Sequence, residues 1–120
     1  MENLQNIDNL ILEMRRGVIV LAVLSQCSEE QYGYSLMKSL SEKGLEIDQG
    51  TLYPLLRRLE TQGLLSSNWR LEDARPRRYY TISHEGLKIL PRLVIEWESM
   101  VRMMNRMLDS NKENSNGHNS

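Results

Sequence analysis

The spacing of the apolar residues changes twice along this chain of 120 residues, and this change restricts the folds that the chain can adopt. Up to Gly63, apolar residues recur every three or four positions, as they do on one side of an α-helix. Residues 64–71 and 77–82 instead resemble two strands around a polar turn, and helical spacing resumes after Ser83. The sequence therefore predicts a mainly α-helical fold with one β-hairpin.

The first part of the chain predicts an amphipathic arm followed by a central helix. Residues 1–16 carry apolar side chains at helical intervals, and we expect Gly17 to separate this N-terminal helical arm from the apolar run that follows. That run is too short to span a membrane and is typical of a buried helix. The single cysteine, Cys27, lies at its end, so we expect a buried core thiol and no intramolecular disulfide.

Two further helices are expected before the hairpin. Ser28 is the predicted N-cap of the second helix, with Gln31 at the capping-box position, and this helix should end near Gly44. Asp48 is the predicted N-cap of a third helix over residues 49–62. Short turns join all three helices.

The last predicted helix, residues 84–108, carries a heptad repeat. Its apolar positions, separated alternately by three and four residues, are Leu87, Leu90, Val94, Trp97, Val101, Met104 and Leu108. This spacing keeps one stripe of a helix against a partner helix, which indicates a dimerisation helix. Pro91 is expected to kink the helix or divide it. Residues 109–120 contain no apolar side chain and are predicted to form a disordered tail.

Three helices followed by a hairpin is the element order of a winged helix-turn-helix, here residues 17–83. In that arrangement the third helix enters the major groove of DNA, and the wing, residues 71–79, reaches the backbone or the minor groove. Alternate residues of a strand face opposite sides, so only one of Tyr79 and Tyr80 is expected to point outward. The candidate DNA contacts are Tyr32, Tyr34, Gln49, Gly50, Thr51, Tyr53, Arg57, Arg75, Arg77, Arg78 and Tyr79.

The charge distribution favours a polyanionic partner despite a net charge of −1. Between residues 57 and 92 there are eight basic and four acidic side chains, a local balance of +4. DNA responds to this local field rather than to the average. A basic hairpin is also compatible with a solvated surface, or with a non-catalytic dimeric protein-interaction module that binds an acidic protein.

No catalytic constellation is evident in the sequence. His84 and His118 have no cysteine, serine or carboxylate set around them, and neither a glycine-rich phosphate loop nor a metal-ligand spacing is present. We therefore expect no enzyme activity and no cofactor. The N-terminus matches neither a secretory signal nor a membrane span, so the protein is expected to be cytoplasmic.

Three motifs, taken in order, resemble the PadR family of transcriptional regulators. They are YGY at residues 32–34, GTLYPLLRRLE at residues 50–60, and RPRRYYTIS at residues 75–83 followed by Glu85 and Gly86. The resemblance implies a homodimer joined through its C-terminal helices, a palindromic operator of double-stranded DNA, and repression relieved by a small molecule. The single terminal helix is similar to the smaller subfamily, which contains multidrug-responsive repressors.

The resemblance also gives Trp97 a ligand-binding role. In those repressors a tryptophan eleven residues after the glycine that matches Gly86 lines a flat cavity at the dimer centre, and Trp97 stands at that place. From the sequence alone, Trp97 occupies a seam position and should approach the partner chain. Two such tryptophans can stack on a planar effector, whereas plain packing at the seam is the alternative.

Overall fold

The computed structural model describes the backbone of residues 2–119 and the side chains of residues 6–111. In chain order the elements are α1 (Glu2–Gln26), β1 (Gln31–Tyr32), α2 (Gly33–Glu42), α3 (Gln49–Thr61), β2 (Leu65–Glu72), β3 (Arg75–Ile82) and α4 (His84–Asn119). The three strands form one antiparallel sheet in the order β1-β3-β2. The predicted mainly helical fold with a β-hairpin wing is confirmed.

The chain divides into two compact units, Met1–Leu90 and Pro91–Ser120. The core of the first unit is built from the apolar stripes of α1, α2 and α3 and from the inner side of the sheet. Its fully buried side chains are Val23, Leu24, Cys27, Leu36, Leu52, Leu56 and Leu59. The predicted burial of Cys27 is confirmed, and desolvation raises the pKa of its thiol to about 12.

The N-terminal arm and the central helix are one element. α1 runs without interruption through Gly17, so the predicted break there is wrong. A Cβ at Gly17 would meet nothing within 4 Å, which places the residue on an open side of the helix. A glycine inside a helix costs about 1 kcal/mol relative to alanine, and a helix of 25 residues tolerates that cost.

The start of α2 lies four residues later than predicted. Ser28 does not cap it; its hydroxyl donates to the carbonyl of Ser25 instead. Gln31 and Tyr32 pair with β3, and the Tyr32 N–H then donates to Ser35 Oγ at 3.0 Å at the beginning of the helix. This strand pairing is a long-range contact, so the local capping pattern did not reveal it.

α3 begins where the sequence indicates. Asp48 Oδ1 accepts a hydrogen bond of 2.7 Å from the Thr51 N–H, which confirms Asp48 as the N-cap. At the other end Gly63 has a φ of +81°, the left-handed conformation that commonly follows a helix C-terminus. The ends of α3 are therefore set by local chemistry.

The hairpin is tighter than the sequence suggests. β2 and β3 pair from Leu65 opposite Ile82 to Glu72 opposite Arg75, which leaves a loop of two residues. Arg75 was expected in the turn but belongs to β3. The loop residues, Asp73 and Ala74, have φ values of 50° and 64°, as a type I′ turn requires.

Ser83 caps α4, because its hydroxyl oxygen accepts a hydrogen bond from the Gly86 N–H at 3.0 Å. The helix is continuous through Pro91, so of the two expected outcomes, a kink or a division into two pieces, the division is wrong. α4 extends to Asn119, well past the predicted end at residue 108. Residues 109–119 therefore have a helical backbone, which differs from the disordered tail predicted for residues 109–120. Among the described residues, no helix combines the length and apolar character needed to cross a membrane.

Candidate nucleic-acid interface

The first turn of α3 presents small and polar groups to solvent. Gln49, Gly50 and Thr51 are exposed, while Leu52 and Leu56 on the opposite side of the helix are fully buried. The core contacts therefore fix the orientation of α3 and leave its N-terminal end free. That end combines hydrogen-bonding side chains with the positive end of the helix dipole, which suits base edges and a phosphate.

Tyr53 has a packing role that the sequence did not indicate. Its side chain is half-buried, and a Cβ built at Gly33 would lie 2.2 Å from the Tyr53 hydroxyl oxygen. Only glycine at position 33 allows this approach of the ring to the start of α2. Tyr53 thus holds α2 and α3 together, and the glycine of the YGY motif is explained by this contact. Tyr34, on the outer side of the motif, is 67% exposed.

One face of the hairpin carries an aromatic and arginine cluster. The Tyr79 ring meets the Tyr32 ring edge-to-face at 5.4 Å between centroids. The guanidinium carbon of Arg70 lies 4.6 Å from the Tyr79 ring centroid, and that of Arg77 lies 4.7 Å from the Tyr32 ring centroid. Arg77 also forms an ion pair with Glu72 at 3.3 Å. Cation–π contacts and the ion pair therefore hold both arginines against the sheet.

The prediction that one of two adjacent tyrosines faces outward is wrong. Tyr79 is 9% exposed and Tyr80 is 4% exposed, because Tyr32 and the arginines cover one face of the sheet and α3 lies against the other. A hydrogen bond with Glu72, followed by desolvation, raises the pKa of Tyr79. Desolvation also raises the pKa of Tyr80. The structure gives Tyr79 a packing role, and its contact with DNA stays a prediction.

The opposite face of the hairpin is tied to α3 through Arg78. Arg78 Nη2 donates to Glu60 Oε1 at 2.6 Å, and its Nε donates to Ser67 Oγ at 3.0 Å. Ser67 in turn donates to the second oxygen of Glu60 at 2.5 Å. The Arg78 guanidinium also lies 5.4 Å from the Tyr80 ring centroid. This network, which we call the Glu60–Ser67–Arg78 network, joins the C-terminal half of α3 to both strands of the wing.

A groove of about 320 Å³ separates α3 from the hairpin. It is lined by Tyr32, Gly33, Tyr53, Arg57, Trp69, Pro76, Arg77, Arg78 and Tyr80. Six of the eleven predicted contact residues therefore meet at one place, namely Tyr32, Tyr53, Arg57, Arg77, Arg78 and, through its contacts with the Tyr32 ring, Tyr79. Exposed Arg75 lies at the tip of the wing, and Gln49, Gly50, Thr51 and Tyr34 lie outside the groove.

Three residues of this region escaped the sequence interpretation: Trp69, Arg70 and Glu60. Trp69 lines the groove, Arg70 pairs with Glu30 and covers Tyr79, and Glu60 anchors Arg78. Had the two-residue turn been recognised, the register would have placed Trp69 opposite Arg78 and Arg70 opposite Arg77. The connection to Glu60 depends on tertiary packing and has no local signal.

The comparisons with known proteins identify the family. The profile of the transcriptional regulator PadR-like family matches residues 20–92, more than half of the chain. The chain belongs to the PadR-like family. The family match spans α2, α3 and the hairpin, so this PadR-like protein is a DNA-binding transcriptional regulator whose groove lies within the family region.

Individual proteins similar to this chain are transcriptional regulators as well. The transcriptional regulator Rv3488 of Mycobacterium tuberculosis is 40% identical over 75 residues, which cover 62% of this chain and 70% of the relative. The crystal structure of a PadR family transcriptional regulator from Eggerthella lenta is 42% identical with a TM-score of 0.82, and the match covers 90% of this chain and 96% of the other. A PadR-like transcriptional regulator from Bacillus cereus has 30% identity and a TM-score of 0.71, over 80% and 96% of the two chains. These relatives are regulators and not enzymes, as the sequence predicted for this PadR-like chain.

Proposed function

We propose that this PadR-like regulator is a homodimeric repressor that binds a palindromic operator. The observation that carries the proposal is the exposed apolar seam of α4. In the second unit its members are Val94, Trp97, Val101, Met104 and Leu108, with exposures between 37% and 57%. Apolar side chains at heptad spacing gain about 25 cal/mol for each Å² removed from water, so a second α4 is the natural cover for this stripe.

In the proposed complex, α3 (recognition helix, residues 49–62) lies in the major groove with Gln49, Gly50 and Thr51 towards the bases. The wing, residues 71–79, lies on the backbone or in the minor groove, where Arg75 and Arg77 contact phosphates. A two-fold symmetric dimer would place its recognition helices about 34 Å apart, one turn of DNA, and would thereby require a palindrome. The place of action is the cytoplasm, where a bacterial chromosome lies.

A small-molecule effector is the second part of this proposal. Trp97 is 40% exposed and occupies the middle of the seam. In a symmetric dimer two copies of Trp97 would lie close to the two-fold axis, where they can stack on a planar aromatic or drug-like compound. A compound inserted between the protomers would favour a spacing of the recognition helices that does not match DNA, and so release the repressor.

Dimerisation and DNA binding can be tested together. The oligomeric state is measured by light scattering after size exclusion, and the affinity by fluorescence anisotropy on a duplex from the upstream region of the gene and on a scrambled duplex. We expect a dimer that prefers the upstream duplex and whose binding weakens steeply with salt. Absence of binding at low salt would remove the proposed function.

The matched variants are Val101→Arg and Ser99→Arg. Val101 lies in the seam, whereas Ser99 is exposed two residues away on the opposite side of the heptad pattern. A buried unpaired charge at position 101 should convert the dimer to a monomer and lower the affinity for the upstream duplex, while Ser99→Arg should stay dimeric. A dimeric Val101→Arg protein would show that the seam is not the interface.

A further inference from the structure

We propose that the groove between α3 and the wing holds the sugar-phosphate backbone of one DNA strand, with the Trp69 indole against a deoxyribose. Arg57 and Arg78 would bind the adjoining phosphates. The proposal rests on the DNA-binding function and adds a contact residue, Trp69, that neither the motifs nor the charge pattern indicate.

The first observation is the exposure of apolar side chains along one side of the wing. Trp69 is 64% exposed and Leu71 is 75% exposed. The two residues are separated by one position of β2, so they share a face of the strand, and Pro76 lies directly opposite Leu71 in the pairing. A tryptophan left in water on a short hairpin is a large unburied apolar surface, and such surfaces mark binding sites.

The second observation is the chemistry of the groove that this face borders. Arg57, Arg77 and Arg78 line it, and none of its lining residues is acidic. The carboxylate of Glu60 lies nearby, but its two oxygens accept from Arg78 and Ser67. Trp69 is itself close to a cation, with the Arg78 guanidinium carbon 5.7 Å from the indole centroid. The groove thus offers cations and an aromatic surface side by side.

A DNA strand matches this combination better than other occupants do. Each nucleotide of a duplex backbone presents an anionic phosphate next to an uncharged deoxyribose, and the arginines and the indole complement these two parts. A second copy of this groove would bring arginines against arginines, which is unfavourable. The groove complements phosphates and deoxyriboses, which lie on the outside of a DNA duplex. The expected ligand is therefore duplex DNA rather than a single strand with unpaired bases.

Tryptophan fluorescence isolates the contact. The chain has two tryptophans, Trp69 and Trp97, so the Trp97→Phe protein reports on Trp69 alone. Its affinity for the upstream duplex is first measured by anisotropy of the labelled DNA. We then expect saturation with unlabelled duplex to change the Trp69 emission and to reduce its quenching by acrylamide, because the indole becomes covered.

The affinity test uses Trp69→Ala with Asn68→Ala as its control. Asn68 is also exposed and lies one position earlier on β2, on the other face of the hairpin. We expect Trp69→Ala to weaken duplex binding about tenfold, the effect of about 55 Å² of apolar surface that no longer becomes buried. Asn68→Ala should change the affinity much less. Thermal denaturation of both variants checks that they are folded.

The outcomes separate the two proposals. If the wild-type protein binds no duplex, the proposed function itself fails. If it binds but the Trp69 emission and the Trp69→Ala affinity stay unchanged, the function stands and the groove contact is wrong. A stronger response to single-stranded DNA than to duplex, or an emission change on raising the protein concentration alone, would also overturn the proposal in favour of base stacking or self-association.

Discussion

At the scale of single residues, Arg78 combines a structural and a proposed DNA-binding role. Two of its donor nitrogens are used by Glu60 and Ser67, and its remaining N–H groups are left to reach a phosphate. The side chains of Arg78 and Glu60 are about one-third exposed, so water screens the pair only in part. The network therefore orients the guanidinium while α3 and the wing keep a fixed separation.

A double-mutant cycle measures this coupling. Glu60→Gln and Arg78→Gln should each lower the free energy of unfolding by about 1 kcal/mol, and the double variant by clearly less than the sum. Urea denaturation gives the three values. Lys88→Gln is the control, because the Glu85–Lys88 pair is mostly exposed and should contribute almost nothing. Strict additivity of the two network substitutions would show that Glu60 and Arg78 are not energetically coupled in the folded protein.

Cys27 predicts a pH dependence of stability. The folded thiol has a pKa of about 12 against an ordinary value of 9.0, because burial disfavours the thiolate. Below pH 9 the thiol is protonated in both states, so it adds no pH dependence. Between the two values the unfolded chain binds fewer protons than the folded one, and stability must fall as the pH rises, by at most about 1.4 kcal/mol per pH unit.

The comparison of wild type with Cys27→Ala isolates this effect. Alanine should lower stability at neutral pH, since it leaves a small cavity, but the further loss between about pH 9 and about pH 10.5 should be smaller than in wild type. Tyr79 and Tyr80 titrate in both proteins and cancel in the difference. Equal losses in the two proteins would mean that the Cys27 thiol ionises as readily in the folded state as in the unfolded one.

At the scale of elements, the wing turn is held in a strained conformation. Ala74 has a φ of 64°, a region that costs a residue with a Cβ about 1 to 2 kcal/mol. Ala74→Gly removes that cost and should stabilise the protein by about 0.5 to 1 kcal/mol after the loss of chain entropy. Ala22→Gly, within α1, is the opposite control and should destabilise by about 1 kcal/mol. The midpoints of urea denaturation show whether each variant is more or less stable than wild type. A destabilised Ala74→Gly protein would contradict the turn assignment.

The elements also show how far the sequence predicts the structure. Asp48, Ser83 and Gly63 act through contacts a few residues away, so the ends of α3 and the start of α4 were predicted correctly. The start of α2 was missed because Tyr32 pairs with β3, some 47 positions along the chain. The same pairing covers Tyr79, and the alternation rule has no means of anticipating a third strand.

The residues of the candidate site also divide into those that local sequence indicates and those that only tertiary contacts reveal. Exposed residues of one helix turn, such as Gln49 and Thr51, could be identified from their position alone. Trp69 and Glu60 could not, since their importance comes from the hairpin register and from the approach of the wing to α3. A groove is a property of two elements together, and sequence periodicity describes only one element at a time.

At the scale of the whole molecule, a salt titration measures how many phosphates the bound protein contacts. This number depends on whether one protomer or a dimer binds the DNA. Each phosphate contact on duplex DNA contributes about 0.9 to the slope of log affinity against log salt concentration. Arg57 is exposed on α3 and lines the groove. If one protomer binds, Arg57→Gln should reduce the slope by about 0.9; if a symmetric dimer binds, by about 1.8.

We expect the larger value, because two-fold symmetry duplicates every contact. Arg106→Gln is the control: it removes the same charge from the exposed surface of α4, which is not proposed to touch DNA, and should leave the slope unchanged. A reduction of about 0.9 in a protein that light scattering shows to be dimeric would mean that only one wing and groove engage the duplex. The operator would then have to be a single half-site, and the two-fold repressor would be wrong even though the DNA contact is right.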